Sequence, residues 1–500
     1  MLGGHTGWHG PRRHAPSLPD DSKGMLASGD TPVTSVTFEA PRDSARRRGA
    51  RDTARGPLYR PAPAPRPWIG TALTVAAVAG FVAVMAQGIS VETASELHAP
   101  GGVAIFVGSL AGLAGMYLAL IMVVLVSRIP PVERILGQDG LLRWHRRLAP
   151  WPLSLIGLHA VIITIGYAQA AKAGFLAQLG QFISSYPDML AATVALALMA
   201  LAGIASIRAI RTRLRRETWW VIHLYLYLAL ALSFAHVIAL GPSFVGHPLA
   251  RALWVAIWVA TAGSVLAFRF GLPLVRSLRH QLRVAEVRPE APGVVSVILT
   301  GRQLQRLPFA GGQFVEWRFV ARGLWWQAHP YSVSALPRPP YLRLTVKAVG
   351  DHSAAVARLA PGTRVFFEGP YGAFTRHAQR NRQVALVAGG IGLTALRSLL
   401  EELPARSAPA VVVRVNRPEE FVFRSEVTEL ARQRKGTLHE VVGDLGAVPF
   451  DADVLRDLVP DLVRRDVYVC GPPGFVEHVT ALATSLGVDH RSVHHEAFAL

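Results

Sequence analysis

His145-Arg-Arg-Leu-Ala-Pro-Trp-Pro-Leu-Ser-Leu-Ile-Gly-Leu-His159 and His223-Leu-Tyr-Leu-Tyr-Leu-Ala-Leu-Ala-Leu-Ser-Phe-Ala-His236 decide how this chain is read. Each stretch holds two imidazoles in apolar surroundings, 14 residues apart in the first and 13 in the second. An ionisable side chain at membrane depth is costly and by default marks a functional site. A single such histidine is as well explained by a hydrogen bond between helices. Two pairs of matched spacing point instead to ligand positions at two depths.

The two stretches belong to a series of apolar runs at 68–90, 102–126, 145–167, 188–207, 219–240 and 248–270. Each has about the 20 residues that a helix needs to cross a hydrocarbon core of about 30 Å. The loop after the second run carries Arg128, Arg134, Arg143, Arg146 and Arg147, and the loop after the fourth carries Arg208, Arg211, Arg213, Arg215 and Arg216. The loops after the first, third and fifth hold a single basic residue, Lys172. Positive loops stay inside, so the expectation is a multi-pass protein of the cell (inner) membrane with both termini cytoplasmic. Trp68, Trp151, Trp219 and Trp220 fall near run ends, as interfacial aromatics do.

With that topology the third and fifth runs are parallel. His145 and His223 lie near the inner face, and His159 and His236 lie deeper. Fourteen helical residues advance about 21 Å and return to nearly the same face. Haem iron accepts neutral imidazole on both axial sides, so two stacked haems are the expected occupants. Thirteen residues over-rotate by about 220°, which calls for a bulge, an overwound turn or supercoiling in the fifth run. Arg146 and Arg147 are placed either to meet haem propionates or simply to anchor the inner face.

Net charge is +19 with a pI of about 11.0, and mean hydropathy is +0.31. Such a charge can signal nucleic acid, but the arginines crowd into the N-terminal tail and the two inner loops. The partners expected are therefore the lipid bilayer and small redox molecules, with no nucleic acid and no protein partner evident. Cys470 is the sole cysteine, which excludes an intramolecular disulfide, a four-cysteine zinc site and a cysteine-ligated iron–sulfur cluster. Residues 1–67, rich in Pro, Arg, Gly and Ser, read as a disordered basic tail. They do not read as a secretory signal, because the apolar run starts only near Trp68. Met25 is an alternative start.

After the six-helix domain (68–272) the texture changes. Short alternating strands such as Val294–Leu299 and Leu342–Val346 predict an antiparallel β-barrel or sandwich over 280–378. Apolar strands at Val384–Ala388, Val411–Val415 and Val467–Cys470, with helices near 394–403 and 423–434, predict a parallel α/β domain over 383–500. Five segments stand out: His329-Pro330-Tyr331-Ser332, following Gly311-Gly312-Gln313-Phe314; Gly350-Asp351-His352-Ser353; Ala388-Gly389-Gly390-Ile391-Gly392-Leu393-Thr394 at a strand–helix junction; Cys470-Gly471-Pro472-Pro473-Gly474 after a strand; and the terminus His495-Glu496-Ala497-Phe498-Ala499-Leu500. Glycines at a helix N-terminus let the backbone approach a phosphate.

Six runs, two spaced histidine pairs and these five segments in this order resemble the ferric reductase/NADPH oxidase superfamily over 68–500. The resemblance implies that His145 with His223 ligates an inner b-type haem, and His159 with His236 an outer one. It implies that His329, Pro330, Tyr331 and Ser332 hold the flavin of FAD, with Tyr331 where phenylalanine is usual. Gly350, His352 and Ser353 would hold its pyrophosphate, with His352 where tryptophan is common. Gly389, Gly390, Gly392 and Thr394 would cradle the nicotinamide dinucleotide. Cys470, Gly471 and Pro472 would lie along the nicotinamide, and Glu496 and Phe498 would close the site, the aromatic covering the flavin. Ser332, Cys470, Glu496 and Phe498 are then the residues at the hydride-transfer centre. Arg414 and Arg417, after the second parallel strand, favour NADPH, while the nearby Glu419 and Glu420 favour NADH.

The activity implied is electron transfer from cytosolic NAD(P)H through FAD and two haems to an acceptor at the outer face. A ferric chelate comes first among acceptors, dioxygen second, and a quinone or periplasmic redox partner third. In superoxide-forming members a further histidine commonly lies one turn beyond the outer ligand. Here that position is Ile163, and the second run has no arginine. A haem-free anchor for a soluble reductase, or a transporter, is the competing class. The transporter leaves the five C-terminal segments without a purpose.

Overall fold

The computed structural model describes residues 33–37, 60–61, 67–186, 188–241, 244, 246–444 and 448–498. Most of the 1–67 tail lies outside them. In chain order, β1 (Val33–Thr37) and β2 (Arg60–Pro61) precede the helical half. That half comprises α1 (Pro67–Ser90), α2 (Ala94–His98), α3 (Gly102–Val126), α4 (Pro130–Leu148), α5 (Pro150–Ala170), α6 (Phe175–Ser185), α7 (Met189–Ser206), α8 (Arg208–Arg211), α9 (Arg216–Leu240), α10 (Pro248–Ser264), a π-helical stretch (Val265–Gly271) and α11 (Leu272–His280). Six helical stretches are long and apolar enough to cross a bilayer, and the protein is a multi-pass membrane protein.

The third span runs on as one helical stretch, Ile135–Ala170, through the helical Ala149. α4 and α5 meet at Ala149, where Pro150 and Pro152 remove two backbone donors. His145 therefore sits in the last turn of α4 and His159 in α5. α3 packs closely along α5, and α9 along α7, whereas α5 and α9 do not form a packed pair. Glycines permit the first contact. A Cβ on Gly108, Gly112 or Gly115 of α3 would lie 2.8, 2.7 and 2.9 Å from Ile163, His159 and Ile156 of α5, the close backbone approach that small residues allow between membrane helices.

The second unit is an antiparallel barrel of β3 (Arg283–Ala291), β4 (Val294–Thr300), β5 (Pro308–Phe309), β6 (Phe314–Phe319), β7 (His329–Arg338), β8 (Tyr341–Lys347) and β9 (Val365–Tyr371), with α12 (Asp351–Val356) between β8 and β9. Its main sheet runs β3-β4-β8-β7-β6-β9, and a bridge between Arg283 and Arg364 closes it. Val297, Leu299, Val315, Trp317, Phe319 and Leu344 are fully buried inside it. The alternation seen in Val294–Leu299 thus marks a barrel wall with one face inward.

The third unit is an α/β sheet built from β10 (Gln383–Gly389), α13 (Leu393–Glu402), β11 (Ala410–Val415), α14 (Arg424–Gln433), β12 (Thr437–Val442), α15 (Ala452–Leu458), β13 (Arg465–Gly471), α16 (Pro473–Ser485) and β14 (Val493–Ala497). The order is β1-β12-β11-β10-β13-β14, parallel except for β1. Alternate residues of β10 and β11 feed two separate cores, Leu386 and Val411 on one face and Val387 and Val412 on the other. A strand buried on both faces reads as a continuous apolar run.

Two features depart from the sequence reading. Val33–Thr37, inside the tail read as disordered, adds an antiparallel edge strand to β12, with Val33 opposite Val441. Its Val-Thr-Ser-Val-Thr alternation carries enough β-branched residues for a strand, but a tail-wide composition average hides it. Of the distortions expected in the fifth span, a bulge and an overwound turn are absent: α9 is α-helical throughout, and the π-helical stretch lies in the sixth.

Candidate functional site

The histidine pairs are assembled. The rings of His145 and His223 have centroids 6.2 Å apart, and those of His159 and His236 are 6.4 Å apart. α9 brings His223 and His236 to these partners although it is a regular helix over the 13 residues between them. His159 Nδ1 donates to the Gly108 carbonyl at 2.8 Å, and His145 Nδ1 to the Met122 carbonyl at 3.4 Å. A carbonyl only accepts, so Nδ1 carries the proton in both and Nε2 keeps its lone pair for a metal. Trp219 stacks on His223 at 5.0 Å, and Arg211 lies 4.4 Å above that indole.

These distances test what the pairs can hold. A metal–imidazole bond of about 2 Å on each side, plus about 1.1 Å from nitrogen to ring centre, separates two axial imidazoles by about 6.3 Å. Both pairs match that span. Among the described residues no group of three or more His, Cys, Asp or Glu is placed to hold a bare metal ion. Each pair offers two facing nitrogens, a donor set that fits the two sides of a haem. His223 Nδ1 and His236 Nδ1 are buried without a partner in the protein.

In the barrel, β7 begins with His329 and places Ser332 opposite Phe314 and Tyr331 opposite Val315. The His329 ring stacks on His352 with centroids 3.6 Å apart, and Tyr331 Oη lies 3.3 Å from His352 Nδ1. Burial pushes Tyr331 up to about 12, and burial together with neighbouring His329 pushes His352 down to about 4, so both are neutral at pH 7. Ser332 Oγ and His352 Nε2 are buried with no partner. Buried polar atoms are normally satisfied, and two orphans beside an aromatic stack suit a bound flavin. Ser353 behaves differently from its expected phosphate role. Its hydroxyl accepts from the amides of Val349 and Gly350 at 2.9 and 3.0 Å and donates to the Gly350 carbonyl. It is committed to the turn that starts α12.

At the α/β sheet the glycine turn joins β10 to α13. Gly390 has φ +53°, and a Cβ on Gly392 would fall 2.1 Å from the Cys470 carbonyl. The turn and the Cys470–Gly471 strand end are therefore in backbone contact at the carboxyl edge of the central strands, where such sheets bind ligands. Thr394 Oγ1 donates to the Ile391 carbonyl at 2.9 Å. β14 brings Glu496 opposite Cys470, and the Phe498 amide donates to the Gly471 carbonyl at 3.0 Å. The Cys470 side chain does not line a surface. It is fully buried in the core, and burial raises its thiol pKa well above the usual value. At this strand end it is the backbone of Cys470 and Gly471 that adjoins the glycine turn. Arg414 donates to the Gly443 carbonyl at 3.0 Å and leaves one guanidinium nitrogen buried and unpaired. Arg417 is exposed and pairs with Glu419 and Glu420 at 3.6 and 3.3 Å.

A charged junction escapes the sequence reading. Arg128, after α3, reaches Glu133 of α4 at 3.7 Å, Glu316 of β6 at 3.4 Å and Glu368 of β9 at 3.6 Å. Arg269 holds Glu368 at 3.1 Å, and Tyr371 Oη donates to the same carboxylate at 2.8 Å. The cluster seats the barrel on the helices, and Glu316 is the cross-strand neighbour of Pro330 in the flavin segment. Burial, only partly countered by Arg128, pushes the Glu133 carboxyl up to about 7. Sequence counts Arg128 as a topology charge, and nothing local in the sequence tells that its partner Glu316 lies 188 residues away.

Comparison with known proteins gives three matches along the chain: a ferric reductase-like transmembrane component at residues 111–234, an FAD-binding domain at 281–375 and an oxidoreductase NAD-binding domain at 386–481. Similar curated proteins include a flavohemoprotein of Bacillus subtilis, 25% identical over 234 residues, covering 43% of this chain and 58% of that protein. Another is the electron transfer component of 2-halobenzoate 1,2-dioxygenase from Burkholderia cepacia, 30% identical over 207 residues, covering 39% and 60%. The match thus takes in about 60% of such relatives' length. Among solved structures, the FAD/NAD-binding domain of a nitric oxide dioxygenase from Vibrio cholerae is similar at 22% identity and a TM-score of 0.37, covering 44% of this chain and 98% of that one.

Proposed function

Since the chain belongs to the ferric reductase/NADPH oxidase superfamily, with its transmembrane component, FAD-binding domain and NAD-binding domain in order, we propose that it moves electrons from NADPH in the cytosol through FAD and two b-type haems to ferric iron at the outer face. The observation that carries this reading is the pair of imidazole separations, 6.2 and 6.4 Å, one above the other. Bound FAD would supply the conversion of one hydride, two electrons, into single electrons, and haem would supply one-electron transfer across the membrane.

The chain's own residues do the positioning. His145 and His223 would hold the inner iron, and His159 and His236 the outer, with the Nδ1 protons of His145 and His159 directed into α3 carbonyls. The Ser332 hydroxyl and Tyr331 ring seat the flavin, while Gly390 leaves room for the dinucleotide phosphates at the start of α13, with Phe475 and the Cys470 carbonyl packed close on Gly389 and Gly392. Arg414 and Arg417 meet the extra phosphate of NADPH. Phe498, held to Gly471 by its amide, covers the flavin until the nicotinamide displaces it, and Glu496 stays beside it.

His159 and His236 would both hold the outer iron, so the acceptor would receive its electron without binding the metal. Ile163 packs against Gly108 of α3, which leaves an apolar contact where a polar group for dioxygen would sit. This favours a ferric acceptor over dioxygen.

The test is an anaerobic absorption spectrum of purified protein before and after NADPH. Bands of bis-imidazole b-type haem that reduce only with FAD present support the reading, and a haem-free spectrum sinks it. Reoxidation by ferric citrate faster than by air supports the ferric acceptor.

A further inference from the structure

The sixth span does not stop at the edge of the hydrocarbon. Pro248–His280 is one helical run of 33 residues, about 50 Å at 1.5 Å per residue, against about 40–45 Å for a bilayer with its headgroups. Leu266, Phe270, Leu274 and Leu278 recur every fourth residue along it, each more than half exposed. The lipid-facing stripe of the span thus continues into α11, and Leu278, about 45 Å from Pro248 along the axis, falls at headgroup depth. The other side of α11 is docked on the barrel. Arg276 donates to the Gly369 carbonyl, and the Phe367 amide donates to Ser277 Oγ at 3.1 Å.

At the end of the stripe lies a crevice of about 200 Å³, with Leu278, Leu282, Val365 and Phe366 as its apolar wall and Arg283 and Arg364 among its lining. These two arginines face each other across the bridge that closes the barrel, and like charges directly opposite repel. Arg318 is the cross-strand neighbour of Phe366 and adds a third cation. The nearby acids are engaged elsewhere: Glu286 with Arg288, and Glu316 and Glu368 with Arg128 and Arg269. The protein therefore presents an apolar slot rimmed by arginines that pair with no acid among the described residues, Arg283 donating to the Gly362 carbonyl at 3.0 Å, and the slot is continuous with a lipid-facing helix. Anionic headgroups on the inner leaflet attract such clusters.

We propose that this crevice binds an anionic phospholipid of the inner leaflet, with its phosphate between Arg283 and Arg364 and an acyl chain along Leu278 and Phe366, and so seats the flavin barrel on the membrane. The side of the membrane is the one taken above as cytoplasmic. The binding itself is independent of the electron path.

The full chain, reconstituted in nanodiscs of phosphatidylcholine alone or with phosphatidylglycerol admixed, is released and weighed by native mass spectrometry. Wild type should retain phosphatidylglycerol over phosphatidylcholine, and Arg283→Gln with Arg364→Gln should lower that retention roughly tenfold or more. Arg283→Lys with Arg364→Lys should keep it, which separates lost charge from lost fold. Equal retention of the two lipids by wild type, or unchanged retention in the glutamine variant, overturns the proposal. Displacement of the lipid by millimolar glycerol phosphate would show a site for soluble phosphate and also overturns it.

Discussion

His159 on α5 gives its Nδ1 proton to the carbonyl of Gly108 on α3 across 2.8 Å. That bond sets the tautomer of a proposed iron ligand, and α3 supplies it from a glycine face. Gly112, one turn on, leaves no room for a side chain, because a Cβ there would lie 2.7 Å from the same nitrogen. Gly112→Ala should therefore turn the imidazole and weaken outer-haem binding by about 10- to 100-fold, the usual cost of disturbing the shell behind a ligand. Haem content per chain should fall from two towards one, with flavin reduction by NADPH intact. Gly157→Ala, where nothing lies within 4 Å of an added Cβ, is the control. Two haems retained in Gly112→Ala would refute the pairing.

The legibility of this chain follows from the range of each interaction. Spans, barrel strands and parallel strands were readable because burial on one face or two writes a local period into the sequence, as in Val294–Leu299 and Val411–Val415. The histidine pairs were readable because a polar residue in an apolar run has few explanations. The regularity of α9 was not, since helix arithmetic on the 13-residue spacing assigns a mismatch to a backbone that is helical throughout. Ser353 and Cys470 show the limit of motif reading: a motif gives residue types, while burial and local hydrogen bonds decide which atom faces the site. The Arg128 cluster was invisible because its members come from four separate segments.

Ser332 Oγ is buried with no partner, and an unsatisfied buried hydroxyl costs about 1–3 kcal/mol. In flavin-stripped protein, Ser332→Ala should thus melt no lower than wild type, and about 1 kcal/mol of stabilisation is reasonable. Its affinity for FAD should fall about tenfold, which corresponds to about 1.4 kcal/mol. Melting curves of the stripped protein and an FAD titration check both. A less stable stripped variant with unchanged FAD affinity would mean that the hydroxyl serves the fold instead.

Arg417 is 65% exposed on its side chain and bound to Glu419 and Glu420 at the surface. Exposed ion pairs are worth about 0–1 kcal/mol, so a phosphate can recruit the guanidinium at small cost. Arg417→Ala should raise KM for NADPH about tenfold, equal to about 1.4 kcal/mol, and leave KM for NADH in place. Glu419→Gln with Glu420→Gln should move KM for NADPH the other way. Steady-state kinetics with both nucleotides decide the matter, and an equal response to both would count against NADPH selection here.

Glu133 makes the barrel–membrane junction sensitive to pH. Its folded pKa is raised from 4.5 to about 7 by burial, so the folded protein binds this proton more tightly than the unfolded chain. The contribution to stability is full below about pH 4.5 and is lost as pH rises through about 7. Glu133→Gln keeps the neutral shape and removes the titration. The variant should match wild type near pH 5 and exceed it at pH 8 by about 1–3 kcal/mol. Apparent melting temperatures in detergent from pH 5 to pH 8 test this: the two curves should diverge only on the alkaline side. Divergence on the acid side would show that the carboxylate is held ionised by Arg128 and that the junction relies on its charge.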